Sequence, residues 1–200
     1  FIEVGKELGE NVVLQFDCPL IVTFINNRNM YVRDADGGAI QFYGETGQTY
    51  NAGDVIPAGV QGSYKLFNGA PEVENLVQES FKPSEETGDA SPIEVTELLA
   101  EDVNQYVVMR KMMFTEVSGS NYTLTNESGA EYTAYKNNYY DGEVPVGDGK
   151  EYDVTGIVST FKGNVQITIT GIELSVEAGV EGVETADAAI RANADGVVVV

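Results

Sequence analysis

Short runs of alternating apolar and polar residues, separated by turns rich in Gly, Asn and Asp, extend along most of the chain. Residues 165–170 show this alternation most clearly, with one apolar and one polar face, which is typical of a half-buried strand. Comparable runs predict strands at 20–25, Asn29–Arg33 and Ala39–Tyr43. The pattern therefore indicates a protein built from short strands and tight turns.

The second half of the chain repeats the first. Residues 2–12 and 93–103 are identical at six of eleven positions with an offset of 91. Residues 60–69 align with 154–163 at an offset of 94, so the offset drifts little and the order of elements is kept. Collinear similarity over most of both halves predicts an internal duplication.

A polar, acidic segment bracketed by prolines separates the two copies and is typical of a linker. We predict repeat one at 1–82, the linker at 83–91, repeat two at 92–176 and a tail of a different kind at 177–200.

Each repeat is predicted to contain a short lead-in helix followed by about five antiparallel strands. In repeat two the helix is expected over 93–101, because Ile93, Glu97 and Ala100 are helically spaced and Ser91-Pro92 fits a helix start. We therefore predict an all-β fold with two tandem five-stranded Greek-key barrels and a C-terminal hairpin at Asp195-Gly196.

Composition excludes several functions. The 200 residues carry 11 Lys and Arg against 32 Asp and Glu, a net charge of -21, which disfavours nucleic acid and anionic membrane surfaces as partners. The absence of His excludes catalytic triads that need it, and the single Cys18 excludes an intrachain disulfide or a multi-cysteine zinc site. No apolar run is long enough to insert into a membrane.

A family resemblance rests on the predicted lead-in helix, on the acidic turn that ends 31–38 with the apolar strand Ala39–Tyr43 after it, and on the stretch 154–158. With the bent first strand and the strand meander, they resemble tandem oligonucleotide/oligosaccharide-binding-fold (OB-fold) repeats of secreted and surface proteins from Bacteroidetes-type bacteria. Residues 177–184 resemble the lead-in to a type IX secretion sorting domain, although the chain stops after the expected hairpin. The resemblance, with a first residue other than Met, implies a secreted, periplasmic or cell-surface protein.

The turn Asp34-Ala35-Asp36-Gly37 has the initial spacing of a calcium loop, and Glu45 falls at position 12 counted from Asp34. A tight hairpin turn explains the same Asp and Gly residues. Repeat two has Asn126 and Ser128 there, which are weaker ligands. A plain turn is the favoured interpretation, with calcium as the alternative and no other cofactor expected.

Tyrosines cluster after the third strand of each repeat and are the candidate ligand-binding residues, because aromatic rings on an open barrel face stack on sugars or bases. Core and cross-strand packing is the alternative explanation for them. The candidates, with one nearby cation, are Tyr139, Tyr140, Tyr135, Tyr132, Tyr43, Tyr50 and Arg33.

No carboxylate spacing nominates a glycosidase pair, and two small barrels leave little room for a deep catalytic cleft. We therefore expect a non-enzymatic binding or spacer module whose ligand is a glycan or a protein partner. The alternatives are single-stranded nucleic-acid binding, which the fold permits and the charge opposes, and a structural subunit of a surface assembly.

Overall fold

A computed structural model describes Gly9 and residues 11–176. The lead-in helix expected in repeat one, the tail 177–200 and the hairpin expected at Asp195-Gly196 lie outside the described residues.

Within the described residues the protein is all-β, with seven strands in one sheet and six in another. The strands of the first sheet are β1 (Val13–Gln15), β2 (Leu20–Asn26), β3 (Asn29–Arg33), β4 (Ala39–Tyr43), β5 (Val55–Ile56), β6 (Gln61–Phe67) and β7 (Ala70–Glu74). The strands of the second sheet are β8 (Ile93–Glu94), β9 (Tyr106–Ser118), β10 (Asn121–Thr125), β11 (Glu131–Tyr135), β12 (Tyr152–Phe161) and β13 (Asn164–Leu174). Two short 3-10 turns, Gln78–Ser80 and Ala100–Asp102, complete the described elements.

The first sheet is a half-barrel with the strand order β1-β6-β7-β4-β3-β2-β5. The second sheet has the order β10-β11-β13-β12-β9-β8, and an additional pairing between β10 and β9 makes it ring-like. Closing a sheet in this way protects strand edges that would otherwise present unpaired backbone groups.

Both sheets use the same pairing scheme. In each, an antiparallel pair (β3 with β4, β10 with β11) is followed by a parallel pairing of its second strand with the last strand of that half. Phe42 pairs with Val73 in the first sheet, and Ala134 pairs with Ile167 in the second. These positions are related by offsets of 92 and 94, so the pairings fall at positions that correspond in the two halves.

The helix predicted over 93–101 is wrong. Ile93 and Glu94 form β8, which pairs in parallel with Val107 and Val108, and only Ala100–Asp102 makes a 3-10 turn. Nine residues are too few for a stable isolated helix, and the β-branched residues among them favour pairing with the available edge of β9.

The prediction of five strands in each half is also too low. The expected long first strand of repeat one is divided into β1 and β2, with Pro19, which has no N–H to donate to a sheet, in the segment between them. The short strands β5 and β8 were not predicted, since two-residue strands carry no periodic signal.

Each half has its own apolar core. Leu20, Ile40 and Phe42 are buried in the first, and Met109, Leu124 and Ile167 are buried in the second. Among the described residues, no helix has the length and apolar character needed to cross a membrane.

The predicted linker lies against the first half. Thr87 bridges to Asp54, the Val55 amide donates to the Glu86 carbonyl, and Arg33 Nη2 donates to the Asp89 carbonyl at 2.8 Å. These bonds place 83–91 beside β5 and the end of β3.

Candidate functional site

An aromatic cluster of Phe24, Tyr31, Tyr106 and Tyr139 connects the two halves, and we call this contact the joint. Phe24 of β2 stacks on Tyr106 of β9 with 5.9 Å between ring centroids and lies 5.3 Å from the ring of Tyr139. The hydroxyls of Tyr139 and the buried Tyr31 share a hydrogen bond of 3.1 Å. Burial raises the pKa of Tyr31 well above its ordinary value, and the neighbouring Tyr139 raises it further. The bond therefore joins two neutral phenols.

Polar bonds extend this joint on either side. Asn104 Nδ2 donates to the Pro71 carbonyl at 2.7 Å, and Thr160 Oγ1 donates to the Asn68 carbonyl at 2.7 Å. Because these bonds connect backbone of the first half to side chains of the second, they hold the two facing surfaces in a defined relation.

We expect Tyr139→Phe to lower the free energy of unfolding by about 1 kcal/mol, because it leaves the buried Tyr31 hydroxyl without its partner. Urea denaturation measures the change. Tyr140→Phe is the matched control: its hydroxyl donates to the exposed Glu143 carbonyl at 3.3 Å and should matter much less. Equal losses in both variants would contradict a special role for the Tyr31–Tyr139 bond.

A cleft of about 570 Å³ opens beside this joint, between the faces of the two sheets. That volume is in the range that holds a small organic ligand. Its aromatic lining comes from both halves and consists of Tyr31, Tyr43, Phe67, Tyr135, Tyr139 and Phe161. Its amide side chains are Asn29, Gln41, Asn104, Asn121 and Gln166.

Equivalent positions of the two repeats face each other across the cleft. Asn29 lies opposite Tyr43 in the β3–β4 pair, and Asn121 lies opposite Tyr135 in the β10–β11 pair, at an offset of 92. At an offset of 94, the matched lining pairs are Phe67 with Phe161, Lys65 with Ser159 and Glu72 with Gln166. The cleft is therefore lined by corresponding positions of the two halves.

The polar groups of the cleft are held in position by one another. Gln41 Nε2 donates to Asn29 Oδ1 at 2.8 Å, and the hydroxyls of Ser159 and Thr168 lie 2.8 Å apart. In contrast, the rings of Phe67 and Phe161 are 53% and 51% exposed, so they offer accessible apolar surface at this site. The cleft thus combines oriented hydrogen-bonding groups with accessible aromatic rings.

Glu72 is a buried carboxylate in this lining, with 4% of the residue exposed. Burial raises its pKa, the Lys65 ammonium 3.9 Å away opposes that shift, and Glu74 adds to it. Lys65 Nζ lies closer to Glu74 Oε2, at 2.9 Å. The charge of Glu72 is therefore only partly balanced.

We expect Glu72→Gln to be more stable than the parent protein at pH 8 and to differ little from it near pH 4. Because the pKa of Glu72 in the folded protein is raised above the unfolded value of about 4.3, ionisation of Glu72 disfavours the fold. This cost is absent below the unfolded pKa and grows as the pH rises through the folded pKa. The groups facing Glu72 are Lys65, Glu74 and the phenols of Tyr31 and Tyr139. Thermal unfolding at several pH values checks this, and a variant that is less stable at pH 8 would contradict it.

Three of the predicted tyrosines line the cleft, namely Tyr43, Tyr135 and Tyr139. Tyr139 also belongs to the joint, where burial raises its pKa. The sequence did not nominate Phe67 and Phe161. Both halves have Phe at these corresponding positions, and that match is the feature of the sequence that could have identified them.

The other candidates lie elsewhere. Tyr50 is 7% exposed in the first core and donates to the Lys82 carbonyl, so its assignment to an exposed site is wrong. Tyr132 donates to the Thr96 carbonyl, and Tyr140 packs against the second core beneath Lys136. Arg33 binds the 83–91 segment. In these four cases local packing, which strand alternation alone does not reveal, determines where the side chain lies.

The candidate calcium ligands are not brought together. Asp34 Oδ1 accepts hydrogen bonds from the amides of Asp36 and Gly38, as expected for a turn, and Asn126 Oδ1 accepts the matching bond from the Ala130 amide. Glu45 follows the far end of β4 and lies 3.9 Å from Arg28. Among the described residues, no group of three or more His, Cys, Asp or Glu side chains is placed to hold a metal.

Comparison with known proteins shows a distant structural similarity. No protein-family model and no curated protein matches the chain. Among solved structures, the chain is similar to the hypothetical protein ygiW from E. coli, with 16% sequence identity and a TM-score of 0.34. The match covers 42% of this chain and 90% of that one.

Proposed function

We propose that this protein is a non-enzymatic, extracytoplasmic glycan-binding module whose site is the cleft between its two halves. The observation that carries the proposal is the lining of that cleft, where exposed Phe67 and Phe161 and the rings of Tyr43 and Tyr135 surround fixed amide and hydroxyl groups. Sugars present both apolar ring faces and many hydroxyls, so they can use both kinds of surface at once.

We further propose that each half is an OB-fold-like barrel produced by duplication, with the repeats at 1–82 and 92–176. The antiparallel meanders β2-β3-β4 and β9-β10-β11 support this proposal, as does the parallel pairing of the third strand with the last in each half. The segment 83–91 would then connect the barrels, and 177–200 would be the sorting-domain-like tail.

Charge supports a neutral or cationic ligand over an anionic one. Residues 1–90 carry 5 positive and 14 negative side chains, giving -9, and 91–176 carry 5 and 13, giving -8. Both faces of the cleft therefore belong to acidic halves. Inside it, Lys65 is already paired with Glu74. A ligand with repeated negative charges would find little compensation there.

Binding is favoured over hydrolysis for a geometric reason. Glycoside hydrolysis normally uses two carboxyl groups on either side of the scissile bond, about 5 to 10 Å apart. Among the described residues that line the cleft, Glu72 is the one carboxylate. The described lining of the cleft thus lacks a second acidic group to complete that chemistry.

A glycan array followed by isothermal titration calorimetry of the hits tests the proposal. We expect binding of neutral or amino oligosaccharides, lost when Tyr43 and Tyr135 are replaced. A pull-down from a surface-protein extract distinguishes the protein-partner alternative. Capture of a protein by a surface outside the cleft, with no glycan bound, would contradict the proposal.

A second candidate is single-stranded nucleic-acid binding, which one observation favours: cations lie over rings near this cleft. Arg28 lies 4.9 Å from the Tyr43 ring centroid, Lys65 5.5 Å from Phe67 and Lys162 5.2 Å from Phe161. Two of these cations also have acidic partners, Glu45 and Glu74. Fluorescence anisotropy with labelled oligonucleotides at low salt decides between the two, because tight and steeply salt-dependent binding would favour this candidate.

A further inference from the structure

The two facing halves of the cleft differ in charge at one matched pair of positions. Glu72 of β7 corresponds to Gln166 of β13, and both are buried, with 4% and 9% exposed. Their strand neighbours also correspond: Lys65 pairs with Glu72 across β6–β7, and Ser159 pairs with Gln166 across β12–β13. Glu and Gln have nearly the same shape, so the difference between the halves is electrostatic.

The carboxylate of Glu72 has a positive neighbour, Lys65, that lies closer to a second carboxylate. Lys65 Nζ is 2.9 Å from Glu74 Oε2 but 3.9 Å from Glu72 Oε1, beyond hydrogen-bonding distance. A carboxylate withdrawn from water is costly unless it is both paired and hydrogen-bonded. The raised pKa of Glu72, caused mainly by burial, agrees with this geometry. A ligand cation entering the cleft would give Glu72 a hydrogen-bonding positive partner in addition to the Lys65 ammonium 3.9 Å away.

Resting on the proposed glycan-binding function, we propose that the cleft selects amino sugars with a free ammonium group, which Glu72 binds, while Gln166 contacts a neutral sugar unit. An ammonium donates up to three hydrogen bonds and would add a positive charge close to Glu72, where Lys65 lies 3.9 Å away. The exposed Phe67 ring beside Glu72 on the neighbouring strand offers a surface for the sugar ring. N-acetylation removes the ammonium charge, and a uronate places a second carboxylate beside Glu72.

Calorimetry at pH 6 with three trisaccharides tests this selectivity: glucosamine trimer, N-acetylglucosamine trimer and trigalacturonate. We expect the glucosamine trimer to bind about tenfold more tightly than its N-acetylated form, and trigalacturonate to bind most weakly. Glu72→Gln should abolish the preference, so that the two glucosamine-based trimers bind with affinities within about twofold of each other. Gln at the equivalent position of the other half shows that this fold accommodates the amide.

Glu131→Gln is the matched control, because it removes the same charge from an exposed strand position that does not line the cleft. It should keep the preference, whereas a general attraction of cations to an acidic protein would be reduced equally in both variants. Equal reduction, or equal binding of the two glucosamine-based trimers by the parent protein, overturns the selectivity proposal and leaves glycan binding intact. Failure of all three trisaccharides and of the wider glycan array overturns the proposed function itself.

Discussion

Gly156→Ala is expected to lower the free energy of unfolding by about 3 kcal/mol, near the upper end for an overpacked core. Gly156 lies in β12 beside a register shift in its pairing with β13. A Cβ atom there would lie 2.4 Å from the Thr168 carbonyl oxygen and 2.6 Å from Ile167 Cγ1. The carbonyl belongs to a paired strand and cannot rotate away, so the sheet itself would have to deform.

Gly171→Ala provides the matched control for this effect. Gly171 lies on the adjacent strand near the same irregularity, and an added Cβ would meet Thr155 Oγ1 at 2.5 Å. This contact is with the end of a side chain that can change rotamer, so we expect a loss of about 1 kcal/mol or less. Urea denaturation measures both variants. Similar losses in the two would show that the close approach at Gly156 is not what makes it special.

Replacing both Tyr43 and Tyr135 by alanine is expected to weaken binding of the glucosamine trimer about a hundredfold, and each single replacement about tenfold. The two residues occupy equivalent places on opposite walls of the cleft, and aromatic groups of this kind commonly dominate binding energy. Tyr43 is 37% exposed, so its loss should cost little stability.

Tyr140→Ala is the control for the replacements of Tyr43 and Tyr135. It removes a predicted binding residue that lies outside the cleft and packs on the second core. Calorimetry measures the affinity of each variant, and circular dichroism establishes that each is folded. If the affinity falls as much in Tyr140→Ala as in the Tyr43 and Tyr135 variants, the ligand binds outside the cleft.

Of the six aromatic residues that line the cleft, the sequence nominated three, and the reason lies in how strands carry information. Alternation identifies the two faces of a strand but not which of them meets another unit. Tyr43 and Tyr135 were found because they belong to tyrosine-rich segments, whereas Tyr50 and Tyr132 belong to the same segments and make contacts within their own halves. Nothing in the sequence distinguished Glu72 as a site residue, because the chain has 32 Asp and Glu residues in all.

The all-β class, the antiparallel meanders and the repeated pattern are properties of the sequence alone, because strand periodicity and turn residues act locally. The lead-in helix over 93–101 fails because Ile93 and Glu94 pair instead with Val107 and Val108 of β9, beyond the range of a helical turn. The tertiary structure alone decided the cleft. It required Phe24, Tyr106 and Tyr139 to bring the two halves together and to place corresponding positions of the two sheets opposite each other. Such contacts depend on the shape of both folded surfaces, which no local pattern in the chain encodes.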